Sequence, residues 1–114
     1  MKLWVKIDLP GRGQIGPGKI ALLRAVDAQH SISGAARALK MSYRRAWMLL
    51  DETSRMLGQP VVETHMGGSR QGGADLTAAG RTVIACYEDA LARANAAAVQ
   101  PLQKLLTTVD APDS

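Results

Sequence analysis

The 114-residue sequence contains no phenylalanine, a single cysteine and few aromatic residues of any kind. Aromatic side chains make up 4 % of the chain and apolar side chains 46 %, so the core of one small domain must be aliphatic. Because Cys86 is alone, an internal disulfide framework and a cysteine-based zinc site are excluded. Cysteine usage therefore indicates a reducing, cytoplasmic location.

Long apolar runs are also missing. No stretch reaches the roughly 18 apolar residues of a transmembrane helix, and the N-terminus lacks the apolar segment and cleavage site of a signal peptide. The histidines, His30 and His65, lie far apart in the sequence, without acidic companions at ligand spacing. We therefore expect no membrane partner, no metal and no cofactor.

Negative charge is scarce in the first two thirds of the chain. Residues 1–76 hold eleven Lys and Arg against six Asp and Glu, whereas residues 77–114 hold three against four. A basic excess confined to one region favours a polyanionic partner such as nucleic acid. Slightly basic domains are common, so charge alone leaves other partners open.

The first half of the chain predicts a short strand followed by three helices. Apolar and polar residues alternate over residues 3–9, and a glycine-rich connector follows over residues 11–16. Apolar residues then recur at helical spacing over residues 19–29, with Pro17 suited to the first helical turn. Ser33 is the expected N-cap of a second helix through Leu39, and Ser42 that of a third through Leu57, where Gly58 ends it.

The second half predicts a β-hairpin and a long helix. The segments 61–66 and 74–76 have strand composition and flank a segment with four glycines in the seven residues 67–73. Thr77 is the expected N-cap of an alanine-rich helix running to about Gln100. Pro101 either kinks that helix or begins a final short one.

The glycine-rich connector matches two nucleotide-binding patterns. Gly11, Gly13 and Gly16 fit G-x-G-x-x-G, and residues 13–19 fit most of a phosphate-binding loop. However, Ile20 stands where that loop needs Ser or Thr, and Pro17 removes an amide that would contact phosphate. No nucleophile and base are brought together by any motif, so we expect no enzyme. The rival interpretation is an enzyme with a nucleotide site in this connector, which a nucleotide-dependent shift in melting temperature would reveal.

Two consecutive short helices joined by a tight turn are typical of a helix-turn-helix, whose second helix enters the DNA major groove. Projection of the third predicted helix at 100° per residue places Ala46, Leu49, Leu50, Thr53 and Leu57 on its core face. The opposite face begins with cations and becomes acidic at Asp51 and Glu52. This helix should therefore contact DNA by its N-terminal end, with Ser42, Tyr43, Arg44 and Arg45.

Arginine in the glycine-rich hairpin suggests a wing. Arg70 would reach a minor groove or a phosphate from a flexible tip. An ordinary surface turn remains the alternative for the hairpin, and a merely solvated basic face remains the alternative for Arg44 and Arg45.

The segments SISGAARALKMSYRRAWMLLDE and PVVETHMGGSRQGGADLTAAGR, preceded by IGPGKIALLRAV, resemble the N-terminal DNA-binding domain of the molybdenum-responsive ModE family of transcription regulators. More distantly, they are similar to the winged helix-turn-helix of LysR-type regulators. The resemblance covers residues 3–90. It implies a winged helix-turn-helix that binds operator DNA as a homodimer.

The resemblance places Ser42, Tyr43, Arg44 and Arg45 at the start of the recognition helix and Arg70 in the wing. Ser33 and Lys40 complete the candidate DNA-binding residues. Lys40 stands where the family often has glycine, and a left-handed backbone there would cost a lysine about 1 kcal/mol, although its charge could meet a phosphate. The chain ends soon after the long helix, so we expect no molybdate-binding domain, and no small-molecule effector is identifiable.

Heptad-like spacing in the long helix predicts a dimer interface. The positions, which alternate in steps of four and three, are Ile84, Tyr87, Leu91, Ala94, Ala98, Pro101 and Leu105. The alternative is that the first half of this helix closes the core of its own domain.

The sequence as a whole predicts a mainly α protein with a small β wing. We expect a winged helix-turn-helix over 1–76, a long dimerisation helix over 77–109 and a disordered tail over 110–114. The predicted function is sequence-specific binding of double-stranded DNA in transcription regulation. A winged-helix protein-interaction module that does not bind DNA is the alternative.

Overall fold

A computed structural model describes residues 2–66 and 72–110 of the chain. Within them, five helices accompany two antiparallel two-stranded sheets, which confirms the predicted class. The elements are β1 (Ile7–Leu9), β2 (Gly13–Ile15), α1 (Pro17–Gln29), α2 (Ile32–Ala38), α3 (Tyr43–Leu57), β3 (Val62–His65), β4 (Gly73–Leu76), α4 (Ala78–Ala97) and α5 (Val99–Asp110). None of the helices in these ranges is both long enough and apolar enough to span a membrane.

The N-terminal segment differs from the predicted single strand. Only Ile7–Leu9 is a strand, and the predicted connector contains its partner β2, with Ile7 opposite Ile15. The backbone before β1 bonds to α4 instead: Leu3 N donates to Asn95 Oδ1 at 2.7 Å, and the Tyr87 hydroxyl donates to the Val5 carbonyl. The prediction of a strand over 3–9 was therefore wrong for its first half.

Helix α2 begins two residues earlier than expected. The Ser31 side chain, rather than that of Ser33, caps it by accepting a hydrogen bond from Gly34 N at 3.0 Å. This start makes Ile32 the first helical residue and buries it together with Ala35 and Ala36. Ser33 consequently lies on the exposed side of α2 and caps nothing.

The turn between α2 and α3 is closed by a Schellman motif. Met41 N donates to Ala36 O at 3.0 Å and Lys40 N to Arg37 O at 3.1 Å, which satisfies the last carbonyls of α2. Lys40 has φ 56°, the left-handed conformation that we expected at this position. The motif sets the direction in which α3 leaves the turn.

Helix α3 has the predicted bounds and caps. Ser42 Oγ accepts from Arg45 N at 3.0 Å, and Gly58, with φ 71°, ends the helix. Ala46, Leu50 and Thr53 are buried as predicted, whereas Leu49 and Leu57 are only half-buried. Sequence projection missed Met56, which is also in the core.

The predicted hairpin is formed by β3 and β4, in a register that pairs Val62 with Leu76 and His65 with Gly73. Its tip, residues 67–71, lies outside the described residues. The predicted wing contact Arg70 is one of them, so its position is not described.

The long helix predicted over 77–109 is divided into two helices, which agrees with the alternative of a final helix near Pro101. Thr77 caps α4 as expected, by accepting a hydrogen bond from Gly80 N at 3.1 Å, but α4 ends at Ala97 and α5 begins at Val99. Pro101 explains the break, because it has no N–H for the Ala97 carbonyl and its ring would clash there. Asp110, assigned to the predicted tail, is the last residue of α5, and residues 111–114 lie outside the described residues.

One aliphatic core joins all three N-terminal helices to β4 and the first half of α4. Val83 and Tyr87 are buried in it, so it crosses the boundary predicted between residues 76 and 77. This arrangement agrees with the alternative for the first half of the long helix. The largest fully buried side chains are Ile20, Leu22, Leu23, Val26, Val61 and Thr53.

Candidate nucleic-acid interface

The N-terminal end of α3 is exposed, as the DNA-binding prediction requires. Arg44 and Arg45 point into solvent, and Tyr43 is 53 % exposed. Ser42 uses its hydroxyl oxygen to accept the capping bond, which leaves the hydroxyl proton available to an external acceptor. The helix dipole adds partial positive charge at the same end.

Four cations without an acidic partner surround the turn between α2 and α3. Over the described ranges, Arg37, Lys40, Arg44 and Arg45 form no salt bridge, although other cations of the fold do. Their charges are therefore free to attract an external anion. Such a patch suits a phosphate backbone.

The acidic residues in the middle of α3 are neutralised within the protein. Asp51 pairs with Arg55 at 2.9 Å, and Glu52 pairs with Lys19 of α1 at 2.9 Å. Along α3, the unpaired positive charge therefore lies in the first turn.

The two flanks of α3 face different surfaces. Arg45 lines a groove toward the start of α1, together with Lys6 and Lys19. Tyr43 and Trp47 line the opposite cleft, between α3 and the wing, where Thr64 also lies. Trp47 is 49 % exposed there, so an indole face is open to a ligand.

The structure brings the predicted residues together in two groups. Ser33 lines the wing-side cleft with Tyr43, whereas Lys40 lies on the turn before Ser42 and Arg44. All of them except Arg70, which lies outside the described residues, are therefore on or beside the α2–α3 unit.

Sequence reasoning missed a cluster of His30, Asp75 and His65. His30 Nδ1 lies 2.6 Å from Asp75 Oδ1, and His65 Nε2 lies 2.8 Å from Asp75 Oδ2. The expectation that the histidines lack acidic companions was wrong, because the hairpin and the end of α1 bring them to one carboxylate. The hydrogen bonds from His30 and then from His65 hold the pKa of Asp75 below its ordinary value.

The geometry of this cluster is that of hydrogen bonds, since each imidazole nitrogen lies within bonding distance of one carboxylate oxygen. No group of three or more His, Cys, Asp or Glu residues in the described part of the chain could hold a metal ion. The two imidazoles instead share the carboxylate directly through hydrogen bonds.

Comparison with known proteins identifies the relatives of this chain, although no family model matches it. It is 42 % identical over 74 residues to the molybdenum-pterin-binding protein MopB of Rhodobacter capsulatus and 37 % identical over 93 residues to MopA of the same organism. It is 35 % identical over 72 residues to the DNA-binding transcriptional dual regulator ModE of Escherichia coli K12.

These matches cover 65 %, 79 % and 63 % of this chain but only 27 %, 35 % and 28 % of the relatives, respectively. The chain therefore spans about a third or less of the length of the curated proteins that it matches.

Among solved structures, the chain is similar to the CbnR DNA-binding domain in its complex with DNA, with a TM-score of 0.58. The match covers 77 % of this chain and 95 % of that domain, at 20 % sequence identity. At this identity the likeness establishes the fold alone, which is a winged helix-turn-helix.

Proposed function

Since this chain is a homologue of the ModE, MopA and MopB proteins, we propose that it is a sequence-specific transcription regulator that binds double-stranded DNA. The observation that carries the proposal is the solvent-exposed first turn of α3, with four cations nearby that have no salt bridge in the described residues. A cytoplasmic location follows from the proposed ligand. The relatives' molybdenum functions are not transferred, because the matches cover so little of those proteins.

The proposed docking places the first turn of α3 in the major groove. Arg44 presents two parallel donors to a guanine edge, while Arg45, on the α1 side, contacts the phosphate backbone. Ser42 and Tyr43 donate hydroxyl hydrogen bonds to phosphates, and Lys40 neutralises another phosphate from the turn. On the wing side, Ser33 lines the cleft and bonds to the same strand of the DNA.

We also propose that the chain binds DNA as a homodimer. One recognition helix reads one half-site, and a two-fold operator needs two helices about 34 Å apart. Helix α5 supports this interface, because its large apolar side chains are exposed: Val99 is 48 %, Leu105 54 %, Leu106 47 % and Val109 71 % exposed.

Arg44→Ala tests the recognition end of α3. We expect it to weaken binding by about 1–3 kcal/mol and to relax specificity at one base pair. The site is first obtained by selecting bound sequences from a random duplex pool, which also reveals half-site spacing. Affinity is then measured by fluorescence anisotropy at several salt concentrations, where the logarithm of affinity should fall steeply with that of salt.

Arg55→Ala is the matched control. Arg55 is an exposed arginine on the same helix but is paired with Asp51 near the opposite end, so its loss should leave specificity unchanged. Equal effects of both substitutions, or an affinity independent of salt, would contradict DNA reading by this end and favour a protein-interaction module. Arg70→Ala, proposed from sequence alone, should weaken binding more uniformly across sequences.

A further inference from the structure

The cluster of His30, Asp75 and His65, which we name the wing clamp, joins three separate elements. His30 follows the last residue of α1, His65 ends β3, and Asp75 lies within β4. Each carboxylate oxygen of Asp75 has its own imidazole partner, at 2.6 Å and 2.8 Å. A single side chain therefore ties the base of the hairpin to the helical body.

The backbone around the wing clamp is arranged to fit it. Ala74 N donates to the His30 carbonyl at 2.9 Å, and His30 itself has φ 54°, a left-handed conformation that is costly for a residue other than glycine. A Cβ at Gly73 would lie 2.8 Å from His65 Nδ1, so only glycine leaves room for this imidazole. Backbone and side-chain contacts thus specify the same arrangement independently.

The wing clamp borders the proposed DNA-binding surface. His65 and Gly73 line the same cleft as Ser33, Tyr43 and Trp47. The strand that the wing clamp holds therefore lies beside the positions that we propose to contact DNA.

The other charged groups on the adjoining elements form no salt bridge with the wing clamp in the described residues. Glu63 of β3 is directly opposite Asp75 in the hairpin register. On α1, Arg24 is paired with Glu88 and Lys19 with Glu52, and Asp27 lies one turn before His30.

We propose that the wing clamp positions the hairpin for DNA binding, which rests on the proposed function. One carboxylate is bonded to an imidazole of the helical body and to an imidazole of β3. Loss of that carboxylate would release the hairpin from the helical body without removing any side chain that we propose to contact DNA.

Asp75→Asn separates positioning from charge. Removal of a negative charge should strengthen binding to any DNA if only charge matters. If Asp75 positions the hairpin, binding to the selected site should weaken relative to a random duplex. Asp27→Asn removes the same charge from α1, outside the cluster, and should leave this ratio unchanged; an identical ratio in both variants would refute a positioning role.

Hydrogen exchange at the Ala74 amide follows the wing clamp without DNA. Exchange should be faster in Asp75→Asn than in the unmodified chain or Asp27→Asn, after correction for intrinsic rates. If no duplex is bound but exchange at the Ala74 amide changes in this way, the proposed function is wrong, whereas the role of the wing clamp in holding the hairpin is supported. Unchanged exchange, with thermal melting showing both variants folded, would refute the wing clamp itself.

Discussion

At the scale of single residues, the end of α2 combines an unfavourable backbone with a useful charge. Lys40 has φ 56° and Gly58, at the equivalent position after α3, has φ 71°. Both close Schellman motifs, but only glycine is free of the steric penalty of this conformation. In exchange, Lys40 adds a positive charge beside Ser42 and Arg44 that glycine would not supply.

Lys40→Gly is expected to raise the free energy of unfolding and to weaken DNA binding. Stability should increase by about 1 kcal/mol, because the left-handed penalty is removed. The salt dependence of binding should lose about one phosphate contact. Urea denaturation and anisotropy titrations at several salt concentrations measure the two effects.

Gly58→Ala provides the reciprocal control. A Cβ at Gly58 meets nothing within 4 Å, so the substitution tests only the backbone penalty and should lower stability by about 1 kcal/mol without changing the salt dependence. If Lys40→Gly leaves both stability and salt dependence unchanged, neither the strain nor the phosphate contact at Lys40 is real.

At the scale of elements, the sequence predicted those helix ends that depend on a few neighbouring residues. The serine and threonine caps of α3 and α4 and the glycine after α3 lie where the sequence placed them. The cap of α2 was misplaced because Ser31 and Ser33 have equal capping ability, and burial of Ile32 decides between them. The capping propensity of a residue does not take the burial of its neighbours into account.

Contacts between distant segments were beyond sequence reasoning. Strand β2 depends on the fit of Gly13 against Met56, where a Cβ would lie 2.5 Å from the sulfur atom. In the wing clamp, His65 and Asp75 could have been inferred as near neighbours from the hairpin register, but nothing local indicates that His30 would join them. Both features appear only when α1, α3 and the hairpin pack.

The docking of α4 on the hairpin base depends on Gly80. A Cβ at this position would collide with the backbone carbonyl of Val61, which cannot move aside as a side chain could. We expect Gly80→Ala to lower the free energy of unfolding by about 2 kcal/mol or more, since overpacking forces the backbone apart. Thermal and urea denaturation of the full chain measure this loss.

Gly18→Ala is the matched control on α1. Its Cβ would meet nothing within 4 Å, so alanine should raise stability by about 0.5 kcal/mol through helix propensity. Opposite signs for the two glycine substitutions are expected. A neutral or stabilising Gly80→Ala would show that α4 does not approach Val61 so closely.

At the scale of the whole molecule, the chain is more elongated than a compact domain of the same length. Its radius of gyration is 18.0 Å, against about 13 Å for a compact domain of this length, and it measures 69 × 28 × 20 Å. The excess length comes from the end of α4 and from α5, which carry exposed apolar residues away from the core. An apolar surface of this kind is expected to be covered in solution.

Leu106→Glu tests whether a second copy of the chain covers α5. Leu106 is 47 % exposed and follows Val99 and Leu102 on one apolar stripe, which a carboxylate would disrupt at an interface. Thr107→Glu introduces the same charge at the next, polar position. Sedimentation at micromolar concentration should give twice the 12.1 kDa chain mass for the unmodified protein and for Thr107→Glu, but the chain mass for Leu106→Glu.

The monomeric variant should also lose its dependence on half-site spacing in the duplex, because each recognition helix then binds alone. A 12.1 kDa species for the unmodified protein would rule out the dimer.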